Sequence, residues 1–426
     1  MGTRPATGRP IVSKRTARAG IIRGQVRGGA AALILGLVVS ACGGAPSVST
    51  SAPPPSTPEP TDPPSLAAAV DADFYTPPTP MGDGEPGEII RSEEIRSPVG
   101  GMRLWTVLYR STGLDGEPIA VSGVTVAPED VDDGPHRYMS WAHPTTGLVD
   151  RLAPSRGGAS TLDVDIVFRW AEDGFIVVAT DYDGLGTPGP HPYLVGESEG
   201  RSVLDAVRAA RGLIGPHEGD AVVLAGHSQG GHAARFAAEL APTYAADVPV
   251  AGTVAIAPAG DIAALVSAGT AETANGEYRL LALMVIGAWH AALGLATDAI
   301  LTPVGMAQAD ALVNEDRGAA FSVDGSLFLD DPASLPQWPA ALEANTPGLP
   351  DAPESVAPIL ILQGTADSII TVESSQLVAD RYCEHGAAVE LRIFDGDDHI
   401  SVRNDRLAEI DEWISQRLAG SPFEGC

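Results

Sequence analysis

The sequence predicts an α/β fold in which a mostly parallel central sheet is flanked by helices and interrupted by an inserted helical cap. Three observations carry this expectation. Apolar runs of strand length recur along the chain and alternate with helix-length segments, which is the pattern of a wound parallel sheet. One of them, Ala221-Val222-Val223-Leu224-Ala225, enters the turn Gly226-His227-Ser228-Gln229-Gly230-Gly231 and leaves it as a helix-like segment, 232–240. Between the run ending near Ala257 and the one starting near Pro358 lie about 100 residues with a helical rather than a strand pattern.

The elements follow in order. Residues 105–109 and 119–126 read as early antiparallel strands, and 137–142, Arg-Tyr-Met-Ser-Trp-Ala, as the strand that comes next. Residues 175–179, 221–225, 250–256, 359–362 and 391–394 supply the mostly parallel part. Val203, Leu204, Val207, Ala210 and Leu213 recur at helical spacing and mark an amphipathic helix, and a further helix fits 373–382. Residues 280–296 are almost wholly apolar, broken by His290. By length this segment could span a membrane, but its place within the strand order argues for a cap helix. A buried packing helix without lid motion fits equally, so activation at an interface is not expected from it. No internal repeat is detectable.

The turn at 226–231 carries the chemistry. A serine at the tip of a strand-turn-helix has its hydroxyl pushed clear of the sheet, and glycines two residues to either side remove the Cβ atoms that would obstruct the bend. Ser228 is therefore the expected nucleophile. With 48 glycines in the chain, chance matches to Gly-x-Ser-x-Gly arise, and Gly196-Glu197-Ser198-Glu199-Gly200 is one. The segment before it, His191-Pro192-Tyr193-Leu194-Val195, is too short and proline-broken for a central strand. Two glutamates beside Ser198 would also repel the oxyanion formed in acyl transfer.

A serine nucleophile needs a base, and the base an orienting acid. The run Pro358-Ile359-Leu360-Ile361-Leu362-Gln363-Gly364 reads as a buried strand whose turn presents Asp367, 139 residues after Ser228. The next strand, 389–394, runs into Asp395-Gly396-Asp397-Asp398 and then His399, 32 residues after Asp367. Of the nine histidines, only His385 and His399 follow the acid strand, and only His399 directly follows a strand. Helix capping near Ser401 accounts for the neighbouring aspartates. An oxyanion site needs the N–H after the nucleophile, from Gln229, and a second from the loop His143-Pro144-Thr145-Thr146-Gly147. Pro144 has no N–H, which leaves Thr145, with Thr146 behind it.

At this point the chain resembles the α/β-hydrolase superfamily, and more narrowly the secretory lipase family of extracellular triacylglycerol lipases and acyl esterases. Beyond the elbow, the resemblance rests on Asp181-Tyr182-Asp183-Gly184-Leu185-Gly186, His191-Pro192-Tyr193-Leu194 and Val203-Leu204-Asp205-Ala206-Val207-Arg208-Ala209-Ala210-Arg211, in that order, within a span from Phe74 to Trp413. It implies an α/β-hydrolase fold and a serine hydrolase of carboxylic esters using Ser228, Asp367 and His399. Many relatives have His-Gly where this chain has His143-Pro144, a departure in the oxyanion loop. A peptidase or an acyltransferase of the same fold, or a non-catalytic envelope lipoprotein, are the alternatives.

Residues 1–29 carry seven basic groups and no acid, followed by the apolar stretch 30–39 and Val39-Ser40-Ala41-Cys42. Residues 1–41 therefore read as an export signal. The last four residues look like a bacterial lipobox, which implies cleavage before Cys42, its lipidation and attachment to the outer face of the cytoplasmic membrane or the cell envelope. Simple secretion after cleavage at Ala41 is the alternative. Residues 42–72 form a Pro/Ser/Thr-rich tether, and 73–426 the catalytic domain with its cap insertion at about 259–350. Without 1–41 the chain has 19 basic and 55 acidic residues, a net charge of −36, which excludes nucleic acid as a partner. An ester or lipid substrate is the expected partner, with no oligomeric state assigned. Cys383 and Cys426 are left to pair as a disulfide in an oxidising compartment. No cofactor or metal is expected: no closely spaced Cys pair of the metal-binding kind occurs, and His227 and His232 lack a suitably placed Glu.

Overall fold

One nine-stranded sheet organises the chain, in the order β1-β2-β3-β5-β4-β6-β7-β8-β9. Its strands are β1 (Ile89–Ile95), β2 (Met102–Thr112), β3 (Pro118–Pro128), β4 (Arg137–Ala142), β5 (Ile176–Thr180), β6 (Ala221–His227), β7 (Val250–Ile256), β8 (Ile359–Gly364) and β9 (Val389–Phe394). The computed structural model describes residues 70–131, 134–157, 164–315, 326–349, 355–423 and 425–426. The expected export signal, Cys42 and all but the end of the tether lie outside them. The pairs β1·β2, β2·β3 and β3·β5 are antiparallel, and the six strands from β5 to β9 are parallel.

Period-two alternation explains the layering. In β6, Val222 and Leu224 pack into one core while Val223 and Ala225 pack into the other, and in β8 Ile359 and Ile361 face opposite to Leu360 and Leu362. Each such side chain contributes about 1.5–3 kcal/mol on full burial, so strands covered on both faces are apolar throughout. The first face is covered by α2 (Gly196–Ile214), α3 (Gln229–Tyr244) and α8 (Val372–His385), through Val203, Leu204, Ala233, Ala237, Val378 and Tyr382. The other is covered by α1 (Val164–Glu172) and α9 (Leu407–Leu418), through Ile166, Phe168, Trp170, Ile410 and Trp413.

Besides the helix Leu407–Leu418, β1 and α1 are absent from the sequence reading. β1, Ile-Ile-Arg-Ser-Glu-Glu-Ile, is an edge strand without buried residues, held to β2 by its backbone, so no apolar alternation announces it. α1 is only nine residues long, and the sequence reading placed no helix between β4 and β5.

The segment between β7 and β8 is helical: α4 (Ile262–Thr270), α5 (Gly276–Leu293), α6 (Pro303–Asn314) and α7 (Trp338–Ala344). α5 contains most of the apolar run noted above. It starts where Asn275 Oδ1 accepts from Tyr278 N (2.9 Å) and stops at Gly294, whose φ of 68° suits glycine. Leu283, Val285, Ile286 and Trp289 are buried in a separate apolar core with Ile262, Val266 and Trp338. Among the described residues no helix is long and apolar enough to cross a membrane. At the other end, Cys383 of α8 is disulfide-bonded to Cys426, with Cα atoms 5.5 Å apart.

The topology selects one place for a site. From β4 the chain passes through α1 to β5 on one side, whereas from β6 it passes through α3 to β7 on the other, so the winding reverses between β4 and β6. Crevices at the carboxyl ends of parallel strands form at such reversals. The turns that follow β4 and β6 hold His143 to Thr146 and Ser228.

Candidate active site

Ser228 stands between β6 and α3 with φ 57° and ψ −116°, a conformation that costs a non-glycine residue about 1–3 kcal/mol. Its backbone is pinned on both sides: Ser228 N donates to Ile256 O (2.9 Å), and Ser228 O accepts from His232 N and Ala259 N (both 3.1 Å). The flanking glycines are dictated by contact. A Cβ on Gly230 would lie 1.8 Å from Ala142 O and 2.8 Å from His143 O, and one on Gly226 would lie 2.2 Å from Gly230 O. The loop after β4 is thus pressed against the turn that carries Ser228. Three other non-glycine residues with positive φ, Tyr182, Leu194 and Ala257, occur after β5, before α2 and after β7. Strain concentrates around the same crevice.

Asp367 and His399 follow β8 and β9, the second and third strands beyond β6. His399 Nδ1 donates to Asp367 Oδ2 at 2.8 Å. Asp367 Oδ1 accepts from Ile369 N (2.8 Å) and Ile370 N (2.9 Å), and Gln363 Nε2 donates to Oδ2 at 3.1 Å. Burial would raise this carboxyl, but the His399 hydrogen bond and charge, with the two backbone N–H groups, hold it below the usual carboxylate value. It stays ionised and fixes the imidazole with Nε2 directed away from the acid. His227, next to Ser228, donates from Nε2 to His399 O (2.8 Å), and its ring centroid lies 4.6 Å from that of His399. The strand carrying the serine therefore holds the backbone of the histidine. Asp398 Oδ1 accepts from Ile400 N (3.0 Å) and Ser401 N (2.7 Å), and Asp397 pairs with Arg406.

Thr145 Oγ1 lies 2.8 Å from Tyr193 OH, and Thr146 is buried behind it. Gln229 begins α3, so its N–H is one of the free donors of a helix amino terminus. Tyr182 OH donates to His143 O (2.9 Å), which ties the loop after β4 to the one after β5. Ser198 sits inside α2, away from any strand end, and its hydroxyl donates to Asp183 Oδ2 (3.1 Å). The structure also assembles a polar network to which the sequence reading gave no role: Glu199 and His191 bond the Gln229 side chain, His232 bonds Glu199, and Asn345 O accepts from His232. Among the described residues no group of three or more His, Cys, Asp or Glu side chains is arranged to hold a metal ion.

Burial dominates the electrostatics. It lowers His143 to about 4 against hydrogen bonds to Pro144 O and Asp181 O, and lowers His227 to about 3 with help from the nearby His399 and Arg403. Both are neutral near pH 7. Asp183 moves the opposite way: burial raises its carboxyl from 3.8 to about 6, the Ser198 hydrogen bond opposing and Asp115 adding. Between those two values the folded state binds the proton more tightly than the unfolded chain, so this group's contribution to stability falls as pH rises through the window. Asp183→Asn is therefore expected to raise the unfolding free energy by about 2 kcal/mol near pH 8 and to leave it almost unchanged near pH 4. Urea titrations at the two pH values measure the difference, and equal shifts at both would show that the buried charge carries no cost.

With this geometry in place, known proteins give a consistent comparison. The secretory lipase family profile matches residues 153–288. A secreted triacylglycerol lipase of Malassezia globosa is 25% identical over 389 residues, covering 83% of this chain and 82% of its own. Over residues 153–288, and more distantly over most of its length, the chain is similar to the secretory lipase family. Another relative at 25% identity, over 390 residues and 83% of each chain, is a Mycobacterium tuberculosis protein named a probable inactive lipase. Among solved structures, Candida antarctica lipase A in its closed state superposes with a TM-score of 0.70 at 19% identity, over 84% of this chain and 89% of that one. At that identity the likeness establishes the fold, which is the α/β-hydrolase fold. Within the chain the profile spans the Asp181 to Gly186 run, α2 and the Ser228 turn, whereas Asp367 and His399 lie beyond it.

Proposed function

We propose that this chain is a secretory lipase, an exported serine hydrolase of carboxylic esters, with acylglycerol-like substrates, working through an acyl-enzyme intermediate. The observation that carries the reading is the 2.8 Å Asp367–His399 pair, held at the same sheet edge as the strained Ser228 turn. Ser228 Oγ attacks the ester carbonyl as His399 Nε2 takes its proton, and Asp367 stabilises the imidazolium. The N–H groups of Gln229 and Thr145 receive the oxyanion. His399 then protonates the leaving alcohol, and water, activated by the same nitrogen, releases the acid. The helical insertion between β7 and β8 supplies an apolar cap for the acyl chain. Lipidation at Cys42 anchors the exported enzyme to the envelope; the relative named a secreted triacylglycerol lipase supports the export.

A relative named inactive favours one competing reading, a binding protein that keeps the fold. A p-nitrophenyl ester series of short to long acyl chains, with fluorophosphonate labelling of the same preparation, separates the two. Labelling and turnover support the hydrolase, and the chain-length profile assigns esterase or lipase. A folded protein that does neither is a binding protein.

A further inference from the structure

The Gly-Glu-Ser-Glu-Gly run at 196–200 contributes no nucleophile, yet its second glutamate is one of the most enclosed carboxyl groups in the molecule. Glu199 is 1% exposed, in the first turn of α2. Its Oε1 accepts from Leu194 N (2.9 Å) and from Gln229 Nε2 (2.8 Å), and its Oε2 lies 2.7 Å from His232 Nδ1. We infer that Glu199 is a positioning residue that holds Gln229, and with it the N–H that receives the oxyanion; this rests on the hydrolase reading above.

The hydrogen-bond inventory fixes the orientation of Gln229. His191 Nδ1 donates to Asp183 O (2.8 Å), which leaves His191 Nε2 as an acceptor for the Gln229 amide at 3.0 Å. Both amide hydrogens of Gln229 are thereby used, one on Glu199 and one on His191. A flipped amide would aim its oxygen at a carboxylate and a ring lone pair, so the side chain has one orientation. Gln229 is the first residue of α3, so clamping its side chain between α2 and the 191–195 loop clamps the start of the helix. That loop also reaches the other proposed donor, since Tyr193 OH lies 2.8 Å from Thr145 Oγ1. It reaches the insertion too, because Trp289 Nε1 donates to Tyr193 O (2.9 Å). Both oxyanion donors are thus tied to one scaffold centred on Glu199.

An isolated carboxylate here would oppose the negative charge of the tetrahedral intermediate. His232 removes that conflict. Its Nε2 must donate to Asn345 O (3.0 Å), because a carbonyl only accepts. A proton must also lie between Nδ1 and Glu199 Oε2, since two lone pairs would repel at 2.7 Å. Whichever atom holds that proton, the pair is neutral overall, so Glu199 positions Gln229 without a net charge beside the oxyanion.

The test compares Glu199→Gln and Glu199→Leu in the full chain. Glutamine keeps the acceptor for Leu194 N and Gln229, and its amide donates to Nδ1 of a neutral His232 whose Nε2–H still serves Asn345. Glu199→Gln is expected to keep kcat on a short p-nitrophenyl ester within about threefold of wild type, while Glu199→Leu loses about 30- to 300-fold in kcat with little change in KM. If Glu199→Leu fails to fold, Gln229→Met severs the same tie while keeping its own N–H, and the same kcat loss is expected. Unchanged kcat in folded Glu199→Leu or Gln229→Met overturns the inference, as does a rise in KM alone or equal losses in the glutamine and leucine variants. A wild type with no ester turnover overturns the hydrolase reading and this inference with it, whereas an active wild type beside an equally active Glu199→Leu overturns this one alone.

Discussion

Ser228→Ala is expected to lower kcat on an activated ester by at least about 10⁴-fold and to abolish fluorophosphonate labelling. Alanine removes the nucleophilic oxygen without disturbing what shapes the turn. The backbone bonds to Ile256, His232 and Ala259 use Ser228 N and O, and the tight approaches belong to Gly226 and Gly230. Folding should therefore be unaffected and KM nearly preserved. Ser198→Ala is the matched control, since that hydroxyl spends its proton on Asp183 inside α2. Full activity in the first variant, or its loss in the second, would remove Ser228 from the mechanism.

Asp367→Asn should reduce kcat by about 10³- to 10⁴-fold while leaving the protein folded. Every contact to this carboxylate is a donor: His399 Nδ1, Gln363 Nε2, Ile369 N and Ile370 N. An amide must turn one end toward donors. If its NH₂ faces the two backbone N–H groups, the turn loses both bonds, so the amide oxygen is expected to face them. The NH₂ then meets His399, whose Nδ1 must become the acceptor, which puts the ring proton on Nε2. That nitrogen can no longer act as a base. Because the acid's unusual ionisability is lost as well, the residual rate should rise with pH as hydroxide takes over the base's role. A variant with wild-type kcat and an unaltered pH–rate profile would show that Asp367 only shapes the loop.

The parts of this molecule legible in the sequence are those governed by local spacing. Strands β6 to β8 announce themselves because both faces are covered and their residues are mostly apolar, β9 because Val389, Leu391 and Ile393 alternate with charged residues, and the Ser228 turn because two backbone contacts exclude any side chain at Gly226 and Gly230. Asp367 and His399 could be picked out because each follows such a strand. What spacing could not supply were partners brought together by the fold. Glu199 meets Gln229 across 30 residues, and His232 meets Asn345 across 113. The first of these sits in a motif read only as a false match, and its isolation among buried helical positions was the available clue. His227 was one of several structural histidines in the sequence, and its bond to His399 O spans 172 residues. β1 failed for the opposite reason: an edge strand with a polar sequence needs only backbone pairing.

The helical insertion also sets an order of events in folding. β7 ends at Ile256 and β8 starts at Ile359, so 102 residues must loop out before these neighbours can pair. Each doubling of a loop adds only about 0.6 kcal/mol of closure entropy, so the insertion is a small thermodynamic burden. Its effect falls on time, because distant pairings form slowly. A chain that has zipped its strands as far as β7 already holds Ser228 in its turn but contains neither Asp367 nor His399 in place. On the assignment proposed here, the partly folded enzyme carries a nucleophile with no base, and hydrolytic competence arrives only when the last two strands dock.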